Sequence, residues 1–413
     1  MEYLMKIKTL SCIIALSLPI FSVNASVIPY NGKFVNGDGT ISRPTKNEML
    51  VEQNTAKGII DWTSFNIGKG YSVKFKQPDS NSVTLNRVTG SALTNIVGNL
   101  TSNGKVFLVN PNGIMLRSGA NINVGGLVAT TKQINNNDFI NDKLLFSSGT
   151  NENKQVVNQA NIKTSKGGFV VLASDRVMNA GRITTPSGKT VLASAEKIVL
   201  QLDSSGLKNI AIDGEVANAF VSNSSFISAT NGQVYLTALG KDMLMNTVIN
   251  NNGIIEASGF SDINPNISVN GGDSGKVSLS GQLIANNPTG NGGVVNINGQ
   301  HIALEDFSSI DVSGKGNGGV VNIGSKKTST LDMKPTSAIF ASSVTSGNGG
   351  NVKLSAKDKI TLEGAIEAKG GSEFGNGGNV IISNSGNLTN LSTINVQASN
   401  GQDGNIVTTE TIM

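Results

Sequence analysis

Nine times along this chain a glycine leads into a short run of alternating β-branched or aliphatic residues, and this repeat constrains the fold more than any other feature. The copies are Gly104-Lys105-Val106-Phe107-Leu108, Gly168-Phe169-Val170-Val171-Leu172, Gly188-Lys189-Thr190-Val191-Leu192, Gly232-Gln233-Val234-Tyr235-Leu236 and Gly275-Lys276-Val277-Ser278-Leu279, followed by runs opening at Gly293, Gly319, Gly350 and Gly378. The last four are offset by 26, 31 and 28 residues. Recurrence at a period of roughly 20 to 50 residues marks a solenoid or an array. Alternation with period two makes each element a strand, and the intervening Gly, Asn and Asp supply corners with positive φ. A strand of five residues cannot bury its apolar face alone, so successive units must stack in parallel and in register. The expected fold is all-β: a right-handed single-stranded parallel β-helix with an amino-terminal β cap. Val and Ile then form interior ladders, and corner Asn residues exchange amide hydrogen bonds along the stack. At roughly 20 to 25 residues per coil the chain makes roughly 15 to 19 coils. A β-propeller fits less well, because its units are usually longer and more aromatic and these spacings drift too much for a closed ring.

Composition agrees with a thin core. The 413 residues include 49 Gly and 9 Pro, with 5% aromatic and 15% charged residues. So few aromatics cannot fill a thick globular interior, and so little charge does not suit solvated disorder. Net charge is only +4 and no basic run stands out, so nucleic acid has no support as a partner.

Residues 1–25 read as an export signal, with Lys6 and Lys8 ahead of an apolar run and small residues before a cut between Ala25 and Ser26. The run is too short, and too interrupted by Pro19, for a membrane span. Cys12 is the only cysteine and lies inside this segment, leaving the exported chain nothing to lock in an oxidising periplasm. The least repetitive stretch after it, Val27 to Lys57, is the expected cap, because an open coil end exposes unpaired backbone groups.

Four ordered blocks carry a family likeness. They are Ile60-Asp61-Trp62-Thr63-Ser64-Phe65-Asn66-Ile67-Gly68, Val83-Thr84-Leu85-Asn86-Arg87-Val88-Thr89-Gly90, Asn103 to Leu116 with its turn Asn110-Pro111-Asn112-Gly113-Ile114, and Gly126-Leu127-Val128-Ala129-Thr130 before a polar excursion from Thr131 to Thr150. This pattern resembles the hemagglutination-activity domain, the secretion domain of two-partner (TpsA) exoproteins of Gram-negative bacteria. The earlier Asn-Pro-Asn-Leu motif of filamentous hemagglutinin is absent, which places the likeness nearer the high-molecular-weight adhesin branch. The resemblance implies a signal peptide at 1–25, a secretion domain at 26–175 and a repetitive continuation at 176–413. It also implies an adhesin at the cell surface or released from it. Its partners would be the Sec machinery, an outer-membrane TpsB (Omp85-type) transporter with periplasmic POTRA domains, and a host or surface receptor. On this reading Gly113→Val slows surface appearance more than Gly319→Val.

The turn residues have two readings, shaping the coil or touching the transporter. Pro111 presets the first corner, while Asn112 or Gly113 takes the left-handed conformation. Trp62 and Phe65 are expected to close the apolar cap, and Asp61, Asn66, Gly68, Asn86, Arg87 and Gly90 match the family's first coils. Chemistry has little foothold, so no catalytic residue, metal or cofactor is expected. His301 stands alone, and Asp175, Glu196, Asp203, Asp213, Asp311 and Glu363 are scattered. Gly188-Lys189-Thr190 lacks the leading glycine of a phosphate loop, and the Gly-Asn-Gly-Gly turns lack the Asp of calcium-binding repeats. A toxin carrier of the hemolysin or contact-dependent inhibition type and a β-helix polysaccharide lyase or hydrolase remain as alternatives.

Overall fold

The computed structural model describes residues 27–149, 153–260 and 265–410. The expected signal segment and its cut between Ala25 and Ser26 lie outside them. Each coil runs through three short strands, as in Lys105–Val109, Ile114–Leu116 and Asn121–Val124, before Gly126–Thr130 opens the next. Stacking the coils builds three long sheets of 14, 11 and 14 strands. Coil neighbours pair in parallel, so the chain is a parallel β-helix.

The cap is antiparallel, as an end-stop must be. Lys33–Asn36 runs antiparallel to Lys57–Trp62, and Gly39–Thr45 runs antiparallel to Glu48–Gln53. Only then does parallel stacking begin, with Lys57–Trp62 on Val83–Val88 and Glu48–Gln53 on Ser72–Lys76. A row of buried carboxamides seals this first layer. Thr84 Oγ1 donates to Gln53 Oε1 at 2.6 Å, and Gln77 Nε2 donates to Thr84 Oγ1 at 2.8 Å.

Among the described residues there are fewer coils than the repeat length predicts. One strand of the first sheet is antiparallel, leaving thirteen parallel rungs, or about 60 Å of rod at about 4.8 Å per coil. Late coils are long: Val294 pairs with Val320 and Val320 with Asn351. Two excursions also use up chain, since Leu127 pairs with Val170 and Thr190 with Val234. One glycine-led run belongs elsewhere than its pattern suggests. Lys276–Leu279 lies in the second sheet, and Asn266–Asn270 fills that coil's place in the first.

Inside, one column of the first sheet reads Leu172, Leu192, Leu236, Val269, Ile297, Ile323, Leu354 and Ile382, each at most 1% exposed. The corresponding outer column changes character along the rod. It is apolar at Ile59, Leu85, Phe107, Val128, Val171 and Val191, then continues as Tyr235, Ser268, Asn296, Asn322 and Lys353. The apolar half is covered. Phe139, Leu144 and Phe146 from the excursion, with Ile198, Leu200 and Leu207, pack on it as a second core. Leu144–Ser147 pairs antiparallel with Lys197–Asp203, which pairs antiparallel with Gly206–Asp213, forming a three-stranded sheet outside the helix. The polar excursion expected from the sequence is therefore polar only on its outer side.

The expected amide ladder exists and is buried. Asn158 donates to Asn179 at 2.7 Å, Asn179 to Asn223 at 2.8 Å and Asn223 to Asn251 at 2.8 Å. All four are 0% exposed, and the same column continues as Leu116 before them and Leu279 after them. Replacing Asn179 with Leu fits the column's shape but removes a partner from both Asn158 and Asn223. An unsatisfied buried polar group costs about 1–3 kcal/mol, so Asn179→Leu should lose roughly 2–5 kcal/mol in a denaturant titration. Asn179→Leu with Asn223→Leu should lose less than the two singles added, because one broken amide contact is shared. Strict additivity would show that the ladder does not act as a unit.

Candidate functional site

The family-matched residues gather on one edge of the rod, where the first sheet turns into the second. Asn110 is 0% exposed. Its Nδ2 donates to Ala92 O and Thr94 Oγ1, both at 3.0 Å, and its Oδ1 accepts from the Asn112 backbone at 2.9 Å. Asn112 Nδ2 reaches Gly90 O in the preceding coil at 2.9 Å. Gly113 N donates to Asn110 O at 3.1 Å and closes the turn, with Gly113 itself at φ +118°. Of the two residues expected to reverse the chain, glycine does so. Ile114, fully buried, then pairs with Thr94 below and Val156 above.

The other matched residues join the first coils. Trp62 Nε1 donates to Asn86 Oδ1 at 3.0 Å inside the helix, and the Phe65 ring meets Trp62 edge-on at 5.5 Å. The cap crosses directly over Trp62: a Cβ on Gly32 would lie 2.2 Å from the indole ring. Asn66 Oδ1 accepts from Asn95 N at 2.8 Å, and Gly68 N donates to Val27 O at 2.7 Å. At Gly90 a Cβ would fall 2.2 Å from Thr63 O, so the coils touch there backbone to backbone. Asp61 and Arg87 are register partners in adjacent coils and form a two-pronged ion pair, 2.9 and 3.1 Å from Arg87 Nε and Nη2.

Three cations fasten the excursion to this edge. Arg87 Nη1 donates to Asn136 Oδ1 at 2.7 Å, at the start of the short helix Asn136–Ile140. Lys57 Nζ donates to Ile140 O at 2.6 Å and pairs with Asp142 at 2.8 Å, meeting the carbonyls at the helix end. Lys132 Nζ joins Ser148 Oγ at 2.8 Å to Asp175 Oδ1 at 2.5 Å, and both charged side chains are at least nine-tenths buried. Lys57 and Lys132 carry no motif, and the sequence reading missed them. A shallow groove beside the turn is lined by Arg87, Gly90, Pro111, Asn112 and Gln133. It continues along Asn135 and Asn137 of the excursion.

On the outer face of the same sheet, Lys105 Nζ donates to Ser80 O at 3.1 Å and Asn81 Oδ1 at 3.2 Å. Burial pushes its ammonium pKa down, opposed by the nearby Asp79 carboxylate. Three of the scattered acids are each engaged separately. Asp175 holds Lys132, Asp203 accepts from Ser205 in its own turn, and Asp311 accepts from Asn286. His301 Nδ1 meets Thr330 Oγ1 at 2.9 Å. Among the described residues, no three His, Cys, Asp or Glu side chains converge.

A family model described as the TPS secretion domain matches residues 25–283, and the chain belongs to that family. Proteins of this family are exported across the outer membrane of Gram-negative bacteria to the cell surface or the medium, which is this chain's destination, and the domain implies a cognate outer-membrane transporter. The structure is similar to the HMW1 secretion domain from Haemophilus influenzae, with a TM-score of 0.79 and 26% identity, covering 91% of this chain and 100% of that one. A heme/hemopexin-binding protein of Haemophilus influenzae is 37% identical over 235 residues, which are 54% of this chain and 25% of that protein. A second heme/hemopexin-binding protein from that species is 35% identical over 259 residues, 57% of this chain and 27% of that protein. The chain thus spans about a quarter of the length of these curated relatives, which are named as binding proteins.

Proposed function

We propose that this chain is the exported partner of a two-partner system and works at the surface, or after release, as an adhesin toward a host or surface receptor. The Sec machinery delivers it to the periplasm. There the POTRA domains of a TpsB transporter hold its leading region as an extended strand, through backbone hydrogen bonds that tolerate varied side chains. On exit each coil stacks on the last, so stability accumulates locally and opposes backsliding. The observation that carries this reading is the use made of the matched residues. Asp61, Trp62, Asn66, Asn86, Arg87, Asn112 and Gly90 all make contacts between successive coils, where outward folding must begin.

The test compares two glycines. Gly319 is unsuitable as a neutral control, because a Cβ there would lie 2.1 Å from Gly293 O. Gly119 is better: it also has positive φ, +91°, and no atom lies within 4 Å of its Cβ position. Gly113→Val and Gly119→Val impose a similar backbone penalty, but only the first falls in the matched turn. Surface appearance in cells with the cognate transporter should slow severalfold for Gly113→Val and little for Gly119→Val. Equal slowing would remove any special role for the turn.

A second reading follows from the relatives' names. On that reading the exported product binds heme or hemopexin rather than adhering, and titrations of the purified chain with hemin and with hemopexin test it.

A further inference from the structure

The Gly-Asn-Gly-Gly turns, the first at Gly290, lie beyond the residues that the secretion-domain model matches. In coil after coil they stack on one corner of the rod: Asn291 Oδ1 accepts from Asn317 N, Asn317 Oδ1 from Asn348 N, Asn348 Oδ1 from Asn376 N and Asn376 Oδ1 from Gln402 N, at 2.8 to 3.0 Å. This row is a structural necessity of the turn, since it satisfies a backbone N–H in each coil.

A second row runs beside it three residues on. Asn379 Nδ2 donates to Asn351 Oδ1 at 2.9 Å and Asn405 Nδ2 to Asn379 Oδ1 at 3.2 Å. The fold does not require these amides, because the same column holds Val294 and Val320 in the two coils before. Between the rows lies an open groove floored by Gly349 and Gly377. Coil stacking keeps that floor bare: a Cβ on Gly349 or Gly377 would lie 2.1 or 1.7 Å from a carbonyl oxygen of the next coil.

We propose that this groove binds a neutral linear polysaccharide lying along the rod. The inference rests on the adhesin reading and names its ligand class. A carboxamide both donates and accepts, which matches sugar hydroxyls. Here the amides are held in place by their own ladder, so little side-chain freedom is lost on binding. The groove lining contains no cation, which disfavours an acidic glycan; its one carboxylate, Asp403, accepts from the Ala398 backbone. Successive amide pairs repeat at the coil spacing of about 4.8 Å, close to the length of one pyranose unit. Several weak contacts in series then act as one multivalent site.

The test uses substitutions the fold already tolerates in this column. The chain and its variant Asn351→Val/Asn379→Val/Asn405→Val are applied to a glycan microarray of neutral linear glucans, mannans and galactans, with Asn322→Val as a control outside the groove. At least one glycan should retain the chain, the triple variant should bind at least tenfold more weakly, and Asn322→Val should bind as the parent. The inference is overturned if no neutral linear glycan is retained, or if the triple variant binds as well as the parent while melting at the same temperature. Binding of the glycan by a chain that adheres to no cell would count against the adhesin reading and leave the groove assignment standing.

Discussion

A chain ending at residue 175 should reach the medium poorly and be digested quickly, whereas one ending at residue 283 should be exported and resist protease. The cause lies in the second core. Phe107 and Phe169 face outward from the first sheet and are 0% exposed only because the excursion and the hairpin 197–213 lie over them. Cutting at 175 removes Ile198, Leu200 and Leu207 and leaves Leu144–Ser147 without Lys197–Asp203, its partner in the three-stranded sheet. Full burial of one such side chain contributes about 1.5–3 kcal/mol, so the three together contribute roughly 5–9 kcal/mol. That is comparable to the whole stability of a typical domain, about 5–15 kcal/mol. A secretion unit of 26–175 divides this three-stranded sheet, and we propose that the unit extends at least to Asp213. Measuring secreted protein and its protease half-life for both lengths decides the matter. Equal export and equal resistance would mean that the hairpin is dispensable.

The coil was legible because its signal is local and repeated. A glycine corner followed by alternation, as at Gly319-Val320-Val321-Asn322-Ile323, states one buried face and one wet one. The second core had a signal too, of a different kind. Phe169-Val170-Val171-Leu172-Ala173 and Lys105-Val106-Phe107-Leu108-Val109 follow the same glycine lead but, against the alternation expected of the repeat, are apolar at consecutive positions and buried throughout, and a strand apolar on both faces is covered on both. Read that way, the partner for Phe107 had to come from Phe139, Leu144 and Phe146, whose spacing inside a polar stretch hid them. The misplaced run at Gly275 shows the limit of the glycine signal, since Gly275 has φ +89° at a corner leading into the second sheet. The turn at Asn110 was recognisable as a motif, yet its neighbours in space were not. Arg87 meets Asn136 and Lys57 meets Asp142 across long sequence separations, and no periodicity links such pairs.

Lys132→Met should destabilise the chain by about 3–5 kcal/mol, the usual cost of leaving one member of a buried ion pair without its partner. The Asp175 side chain is 9% exposed and would be left without its cation beside an apolar side chain, while Ser148 would lose the donor that holds the end of the excursion. Asp175→Leu should cost a similar amount from the opposite side, stranding an ammonium group. The double variant Lys132→Met/Asp175→Leu should recover much of the loss, since neither charge is then buried and the two side chains can pack together. Urea titrations of the four proteins give the coupling energy. Amide exchange across residues 133–148 then reports where the loss is felt, and faster exchange there than in the interior ladders is expected for the single variants. The Thr131–Ser174 hydroxyl contact at 2.7 Å and the Gln133–Ser147 bridge remain in every variant. Loosening confined to the segment between them would therefore identify Lys132 as the clasp that closes the excursion onto the coil. Additive losses, or single variants as stable as the parent, would show that the pair contributes nothing specific.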